Sequence, residues 1–541
     1  MAAALLNHSW FSLLEGVSSI PSLLGRAAAL GYRSFALTDS NNLLGVIPFV
    51  KNAKALGMKP LVGAHLSFDQ HQCVALVENC KGYRNLCSFL SQLHLGKVHD
   101  ACELLVQKSE GIHLVVGNPL LLSKLHGMFM GRIWAGLDRS RETRLNRRHR
   151  ELLELAQKLD VKPLALHACY FASALDYKTY HLVSALRQSC LLERVQAGRV
   201  GVENHLPDPA MVKQRFQDLP EAWLNTCNFP NLLADDVIPN EMVLPSPLES
   251  CGMHASEHLR KLCESGLHRR GIGRKKDVKA RMEEELRVIG KRGLDGYFLT
   301  VREIVGIANQ RNYSMALRGS AGNSLVCYLL GITNVDPLYH GLAFERFLHD
   351  GRIDLPDIDL DFDWKVRDAL IDEVIGVRGS EYCARISSHL YLQPKSAFRE
   401  SARVHGLSDT QISLLGPQME VRLEEFVGSA KVPRMESTFK SPIPKMQLQA
   451  VLRDAGRLSG RPHHLSIHPG GIVITPRPIE EYVPLQWSAK GVVVTQFEKD
   501  AIEEIGLVKI DLLGNRALAN VDEAMRAAGL SGEDINIFPK D

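Results

Sequence analysis

Between residues 20 and 68 the apolar positions switch repeatedly between helical and extended spacing. Ile20 to Leu30 is helical in pattern, and Arg33 to Leu37 reads as a short strand ending at Thr38-Asp39. Leu43 to Leu56 is helical again and Pro60 to Phe68 extended again. Later, Arg148 to Leu159 is an amphipathic helix feeding a strand from Lys162 to His167. This βαβ rhythm predicts an α/β fold with parallel strands under covering helices, barrel-like, and with any site at the strand C-terminal ends. From Gly201 to Ser250 the pattern breaks at Pro207, Pro209, Pro220, Pro230, Pro239, Pro245 and Pro247, which predicts an irregular connection.

Beyond it, helices are predicted over Asp277–Gly290, with Asp277 as N-cap, and over Tyr297–Asn309, Leu325–Leu330 and Val366–Val377. Residues 395 to 465 read as mainly helical and moderately basic. Strands return at Gly470–Thr475, Val492–Phe497 and Leu507–Leu512. The most informative strand is Asp357-Ile358-Asp359-Leu360-Asp361-Phe362-Asp363. Its period of two puts four carboxylates on one face and three apolar side chains on the other. It is expected to share a sheet with the late strands, interrupted by the helical insert.

A chain of 541 residues has room for two to four domains, and 45% apolar with 23% charged residues is ordinary for a globular protein. The net charge of +3 does not by itself argue for nucleic acid. Two local basic runs suit phosphates, or equally a solvated face: Arg139, Arg141, Arg144, Arg147, Arg148 and Arg150, and then Arg269, Arg270, Arg274, Lys275, Lys276, Lys279 and Arg281. The eleven cysteines include no CxxC pair, and Cys73, Cys80 and Cys87 recur at a spacing that suits packing. No signal peptide or long apolar run is present, so a cytoplasmic location without membrane contact is expected.

Like charges crowded in a partly dry site repel strongly, so the acidic row needs cations. Hard divalent ions, which take oxygen ligands and hold phosphates, are the economical choice; a solvated acidic edge is the bland one. A calcium loop of the EF-hand type is excluded, because it needs Gly where Phe362 stands. Upstream, Arg318-Gly319-Ser320-Ala321-Gly322-Asn323-Ser324 opens a helix and offers free N–H groups to a phosphate, or serves simply as a cap. Asp511 lies in the apolar run Lys509-Ile510-Asp511-Leu512, where a carboxylate needs a metal, Lys509 or Arg516 beside it.

These segments together resemble the C-family DNA polymerases, the group of the bacterial DNA polymerase III alpha subunit. The similar motifs are Arg318-Gly319-Ser320, Phe344-Glu345-Arg346-Phe347-Leu348, Pro356 to Phe362, His468-Pro469-Gly470-Gly471-Ile472-Val473-Ile474, Gln496-Phe497-Glu498-Lys499-Asp500 and Leu507-Val508-Lys509-Ile510-Asp511, in the family's order. The wording of residues 318 to 333 and 461 to 475 resembles the error-prone branch. The resemblance implies a nucleotidyltransferase-like palm with an inserted helical thumb. Its implied catalytic and metal-holding residues are Asp359, Asp361 and Asp511, with two Mg²⁺ ions. It further implies Arg318, Gly319, Ser320, Arg346 and Lys509 at the incoming deoxynucleoside triphosphate or the primer–template DNA.

The N-terminus is similar to the family's PHP-type barrel, through His8-Ser9-Trp10, Ala36-Leu37-Thr38-Asp39-Ser40 and Val62-Gly63-Ala64-His65. Intact members carry His where Leu6 stands, His-Gly where Ser40-Asn41 stand, and commonly His near Gln72 and at Tyr170. The departures imply a degraded centre at His8, Asp39 and His65, without its metals, and a structural platform in place of a phosphoesterase. The implied division is 1–200 PHP-like domain, 201–276 connection, 277–394 first part of the palm, 395–465 thumb, 466–519 second part of the palm, and 520–541 the start of the fingers. A fragment, one half of a split gene and a degenerate relative all suit that length. In the second case a separate polypeptide supplies the fingers and clamp-binding regions. The expected function is therefore DNA-templated DNA synthesis, in the setting of error-prone repair; the alternatives are a non-catalytic DNA-binding scaffold and, behind it, a phosphoesterase or 3′-5′ exonuclease at the PHP-type domain.

Overall fold

The computed structural model describes residues 2–141, 146–196, 198, 200–248, 253–273, 276–351, 356–423 and 442–530. Arg144, Arg274 and Lys275 of the basic runs lie outside the described residues, as do 424–441 of the helical insert and 531–541 of the segment expected to begin the fingers. The chain divides into two compact units. One comprises Met1–Pro239, Ser388–Ser466 and Glu480–Val492; the other comprises Asn240–Ser387, Ile467–Ile479 and Val493–Asp541.

In the first unit seven strands follow one another across a sheet in chain order: β1 (Ala3–Ala4), β2 (Ser34–Leu37), β3 (Lys59–Phe68), β4 (His71–Val77), β5 (Ile112–Val116), β6 (Ile133–Asp138) and β7 (Pro163–Leu166). Beyond β1 and β7 the sheet curls toward closure. Asn7 bridges Cys169, the His8 amide donates to the Cys169 carbonyl at 2.8 Å, and the Cys169 amide donates to Leu6 at 3.0 Å. The barrel-like interior is apolar, with Leu61, Val74, Leu76, Val115 and Leu164 nearly inaccessible. The expectation of parallel strands fails at β4, which runs antiparallel to both β3 and β5. Only Asp69 and Gln70 join β3 to β4, and both take positive φ (44° and 65°), the geometry of a two-residue hairpin that leaves no room for a crossover helix.

The proline-rich connection is also more regular than predicted. Pro209 and Pro220 each open a helix, Pro209–Arg215 and Pro220–Asn228. Proline suits the first helical position because its missing N–H would have no partner there. Cys73 and Cys87 are buried in packing positions, whereas Cys80 is exposed. The insert forms helices Pro394–Val404, Asp409–Leu423 and Lys445–Leu458. Leu392, Ala397, Val404 and Leu458 share a core with Val17, Phe171 and Val183 of this unit.

The second unit is built on β8 (Met315–Arg318), β9 (Asp359–Asp363), β10 (Cys383–Tyr391) and β11 (Pro462–Ile474). After the short β12 (Leu485–Trp487) of the first unit come β13 (Val493–Glu498) and β14 (Lys509–Asn515). The spatial order is β13-β10-β11-β14-β9-β8. β9 is thus internal, parallel to β14 and antiparallel to β8. Its apolar face, Ile358, Leu360 and Phe362, packs with Ile510 and Leu512 against helices Asp295–Gln310, Leu325–Leu330 and Arg367–Arg378. The predicted strand over Leu507–Leu512 lies later, at β14, and β11 begins at Pro462 instead of Gly470. β10 went unpredicted because Ser387, Ser388 and His389 blur its apolar signal. Asp277 is the second residue of the helix Lys276–Lys291, not its cap, and the next helix begins at Asp295 instead of Tyr297.

Leu360 is fully buried in the central strand. Leu360→Ala is expected to destabilise the second unit by about 2–5 kcal/mol, read as a lower urea midpoint.

Candidate active site

Strand register gathers the acids. Asp359 pairs with Asp511 on β14 to one side and with Arg318 on β8 to the other. Asp361 lies two residues along β9, hence on the same face as Asp359. Directly opposed residues on adjacent strands lie close together, so Asp511 joins that face. Asp357 is exposed beyond the strand end, whereas Asp363 is 5% exposed and accepts the Lys365 amide at 2.8 Å.

Two cations from the flanking strands meet this row. Arg318 donates through Nε (3.2 Å) and a terminal nitrogen (2.8 Å) to Asp361 Oδ2. The Lys509 ammonium donates to Asp511 Oδ2 at 2.8 Å, one of the partners expected for that acid. Asn515 Nδ2 adds a third donor to Asp361 Oδ2 at 2.9 Å. The other oxygens, Asp361 Oδ1 and Asp511 Oδ1, are buried without a hydrogen-bond partner. Burial, then the charges of Asp511 and Asp357, raises the Asp359 carboxyl above its ordinary range. Lys509 is raised although its burial works the other way, because the bond to Asp511 favours its charged form.

Unpartnered, buried carboxylate oxygens on one polar face are the donor chemistry that Mg²⁺ takes, so the residues fit that ion. Even so, among the described residues no three His, Cys, Asp or Glu side chains stand close enough to hold a metal as a group. Arg318 and Lys509 occupy the carboxylates in this arrangement.

The helix start that follows the Gly319–Asn323 turn does not offer the free amides expected there. The Glu285 carboxylate, fully buried, accepts from the Leu325 amide (3.0 Å), the Val326 amide (3.0 Å) and Ser324 Oγ (2.8 Å). The first amides of the helix Leu325–Leu330 are therefore taken by an internal anion. Burial raises the Glu285 carboxyl against those bonds and against Arg281, which pairs with it at 2.7 Å. Gly319 has φ 79°, a conformation that favours glycine, and turns the chain directly after Arg318. Ser320 is half-buried on this turn. Arg346 is exposed on the Phe344–Arg346 turn, and among the described residues it bonds to none of the three acids.

In the first unit, His8, Asp39 and His65 gather near strand C-terminal ends, but their polar atoms are largely paired. His8 Nε2 and His65 Nδ1 are 3.0 Å apart, and burial lowers both imidazoles. His8 stacks on Tyr170 at 4.2 Å between ring centres. Asp39 accepts from the Ser9 amide (2.7 Å), Ser9 Oγ (2.8 Å) and Ser12 Oγ (2.6 Å). Burial nevertheless pushes its carboxyl up to about 6.

Comparison with known proteins agrees with this two-part architecture. Residues 257–514 match the family described as the bacterial DNA polymerase III alpha NTPase domain, and residues 5–161 match the PHP domain. An error-prone DNA polymerase of Symbiobacterium thermophilum is 30% identical over 96% of this chain and 52% of its own length. The chain belongs to the bacterial DNA polymerase III alpha family. Another error-prone DNA polymerase, from Pseudomonas paraeruginosa, is 32% identical over 93% of this chain and 50% of the relative. The DNA polymerase III subunit alpha of Aquifex aeolicus is 29% identical over 95% and 51%. This polymerase-family chain thus spans about half the length of those relatives. Among its described residues no helix is long and apolar enough to cross a membrane.

Two residues of the second unit escaped sequence reasoning. Glu285 sits four residues after Arg281, which reads as an ordinary solvated helix pair. Asn515 carries a visible N-cap signal before the helix Arg516–Ala527, but its bond to Asp361 spans 154 residues of sequence. The segment expected to start the fingers, from residue 520, begins inside this helix, which follows β14 without a break and ends at Ala527.

Glu285→Ala would remove the carboxylate from Arg281 and leave three further donors unpaired, so a loss of about 3–5 kcal/mol and faster proteolysis near residue 325 are expected. Asp39 gives a pH signature. Between its ordinary range and about 6 the folded protein keeps a proton that the unfolded chain has released. Its contribution is therefore full at acid pH and lost as pH rises through about 6. Asp39→Asn is expected to flatten that slope in urea midpoints measured from about pH 4 to pH 7.

Proposed function

We propose that the second unit is the palm of a DNA-templated DNA polymerase, in which a primer 3′-hydroxyl attacks the α-phosphate of a deoxynucleoside triphosphate and pyrophosphate leaves. The observation that carries this reading is the pairing of Asp359 with Asp511, and Asp361 beside them, on one polar face with two buried oxygens that accept no hydrogen bond. Asp359, Asp361 and Asp511 would hold two Mg²⁺ ions, which when bound supply Lewis acidity at the transferring phosphoryl group and acidify the attacking hydroxyl. In this reading Arg318 and Lys509, which pair with Asp361 and Asp511, turn from carboxylate to triphosphate when nucleotide binds. Ser320 and the backbone around Gly319 lie directly after Arg318 on the same turn. Arg346, exposed and apart from the acids, is assigned to primer–template DNA. Similarity to error-prone relatives favours repair synthesis as the setting.

The PHP-type barrel is read as a platform. Ser9 and Ser12 satisfy the Asp39 oxygens that a metal would need, and the residues at 6, 40 and 41 are Leu, Ser and Asn. A second reading of the whole chain, a DNA-binding scaffold without catalysis, draws on the ion pairs that Arg318 and Lys509 already make with Asp361 and Asp511.

Primer extension with Mg²⁺ separates the two, using the chain alone and together with the product of any adjoining reading frame that encodes the rest of such a polymerase. Asp359→Ala is expected to cut extension by more than about 100-fold, and Asp357→Ala far less. Equal extension by wild type and Asp359→Ala removes Asp359 from catalysis. Salt-sensitive DNA binding with no extension in either format favours the scaffold.

A further inference from the structure

We propose that Asn515 is a positioning residue that keeps one oxygen of Asp361 free for a divalent cation and ties that carboxylate to the first turn of the helix Arg516–Ala527. The inference rests on the palm reading given above.

Asn515 ends β14, paired with Asp363 across the β9 ladder. The two ends of its side-chain amide do different work. Oδ1 accepts from the Ala517 amide at 2.8 Å and the Leu518 amide at 3.4 Å, the usual N-cap bonds. Those partners are backbone donors, so the cap fixes which end of the amide is oxygen. Nδ2 must then point the other way, and it donates to Asp361 Oδ2 at 2.9 Å. Serine, threonine and aspartate cap helices as well, but none of them retains this amide donor.

The consequence lies in how Asp361 meets Arg318. A guanidinium and a carboxylate prefer two parallel bonds, one to each oxygen. Here both Arg318 bonds fall on Oδ2, and Asn515 adds a third to the same atom. Oδ1 is left with no partner although Asp361 is only 5% exposed. Without the Asn515 donor the carboxylate is free to rotate until the Arg318 fork takes both oxygens. Neither oxygen of Asp361 would then remain for a cation. Asn515 therefore opposes the internal ion pair that competes with the metal.

The test uses Mn²⁺ as probe with the full 541-residue chain, counting free ion by electron paramagnetic resonance, and compares wild type with Asp359→Asn, Asn515→Ser and Asn515→Ala. Amide hydrogen exchange over residues 516–527 reports the cap independently. Wild type is expected to bind Mn²⁺ and Asp359→Asn to lose it. Asn515→Ser, which keeps a capping oxygen, is expected to retain helix protection while losing about 10- to 100-fold in Mn²⁺ affinity. Asn515→Ala is expected to lose both. Equal Mn²⁺ binding by wild type and Asp359→Asn overturns the palm reading and this proposal with it. Normal binding by Asn515→Ser beside a defective Asp359→Asn overturns the role of Asn515 and leaves the palm reading intact. Affinity that falls only in step with helix protection makes Asn515 a cap alone and also overturns the proposal.

Discussion

A row of carboxylates two residues apart is tolerable only where neighbouring strands bring positive charge to it, and that requirement organises the second unit. β9 lies between β8 and β14. Each neighbour supplies one cation, Arg318 from β8 and Lys509 from β14. The opposite face of β9 is as constrained as the acidic one. Ile358, Leu360 and Phe362 are essentially inaccessible, so a slip of one residue would bury the acids and expose the core. The same alternation thus sets the register of the sheet and the gathering of its charged groups.

The two units treat buried acid in opposite ways. In the barrel, two serines provide the donors for Asp39, and its oxygens are spent on the protein. In the second unit, Asp361 and Asp511 each have one oxygen engaged and one without a hydrogen bond, the latter in Asp511 lying 3.9 Å from His468 Nδ1. An idle buried oxygen costs stability, and a fold that carries two on one face holds strain that a ligand could relieve.

How much was legible follows from the range of each signal. Local periodicity announced β2, β3, β9 and most of the helices flanking them, because a period of two or of 3.6 needs only a few residues to declare itself. The acid trio was legible too, from alternation at 357–363 and one charge in an apolar run at 511. What failed to show was non-local or disguised. The antiparallel β4 hangs on a two-residue turn without glycine, and β10 breaks its apolar pattern with the polar run Ser387-Ser388-His389. The occupation of the helix start at Leu325 by Glu285 is a contact between segments forty residues apart, which no spacing rule reports. Asn515 advertised its cap and hid its second bond for the same reason.

The arrangement of β9 also sets the order in which the chain can be completed. Its β8 partner is nearby in sequence, but Asp361 must wait for Asn515, 154 residues further on. During synthesis one edge of the acidic strand stays without its ladder while the whole helical insert is made. Such long-range closure is slow, and an open strand edge invites pairing with other chains. The negative charges along that edge repel a second copy of the same segment.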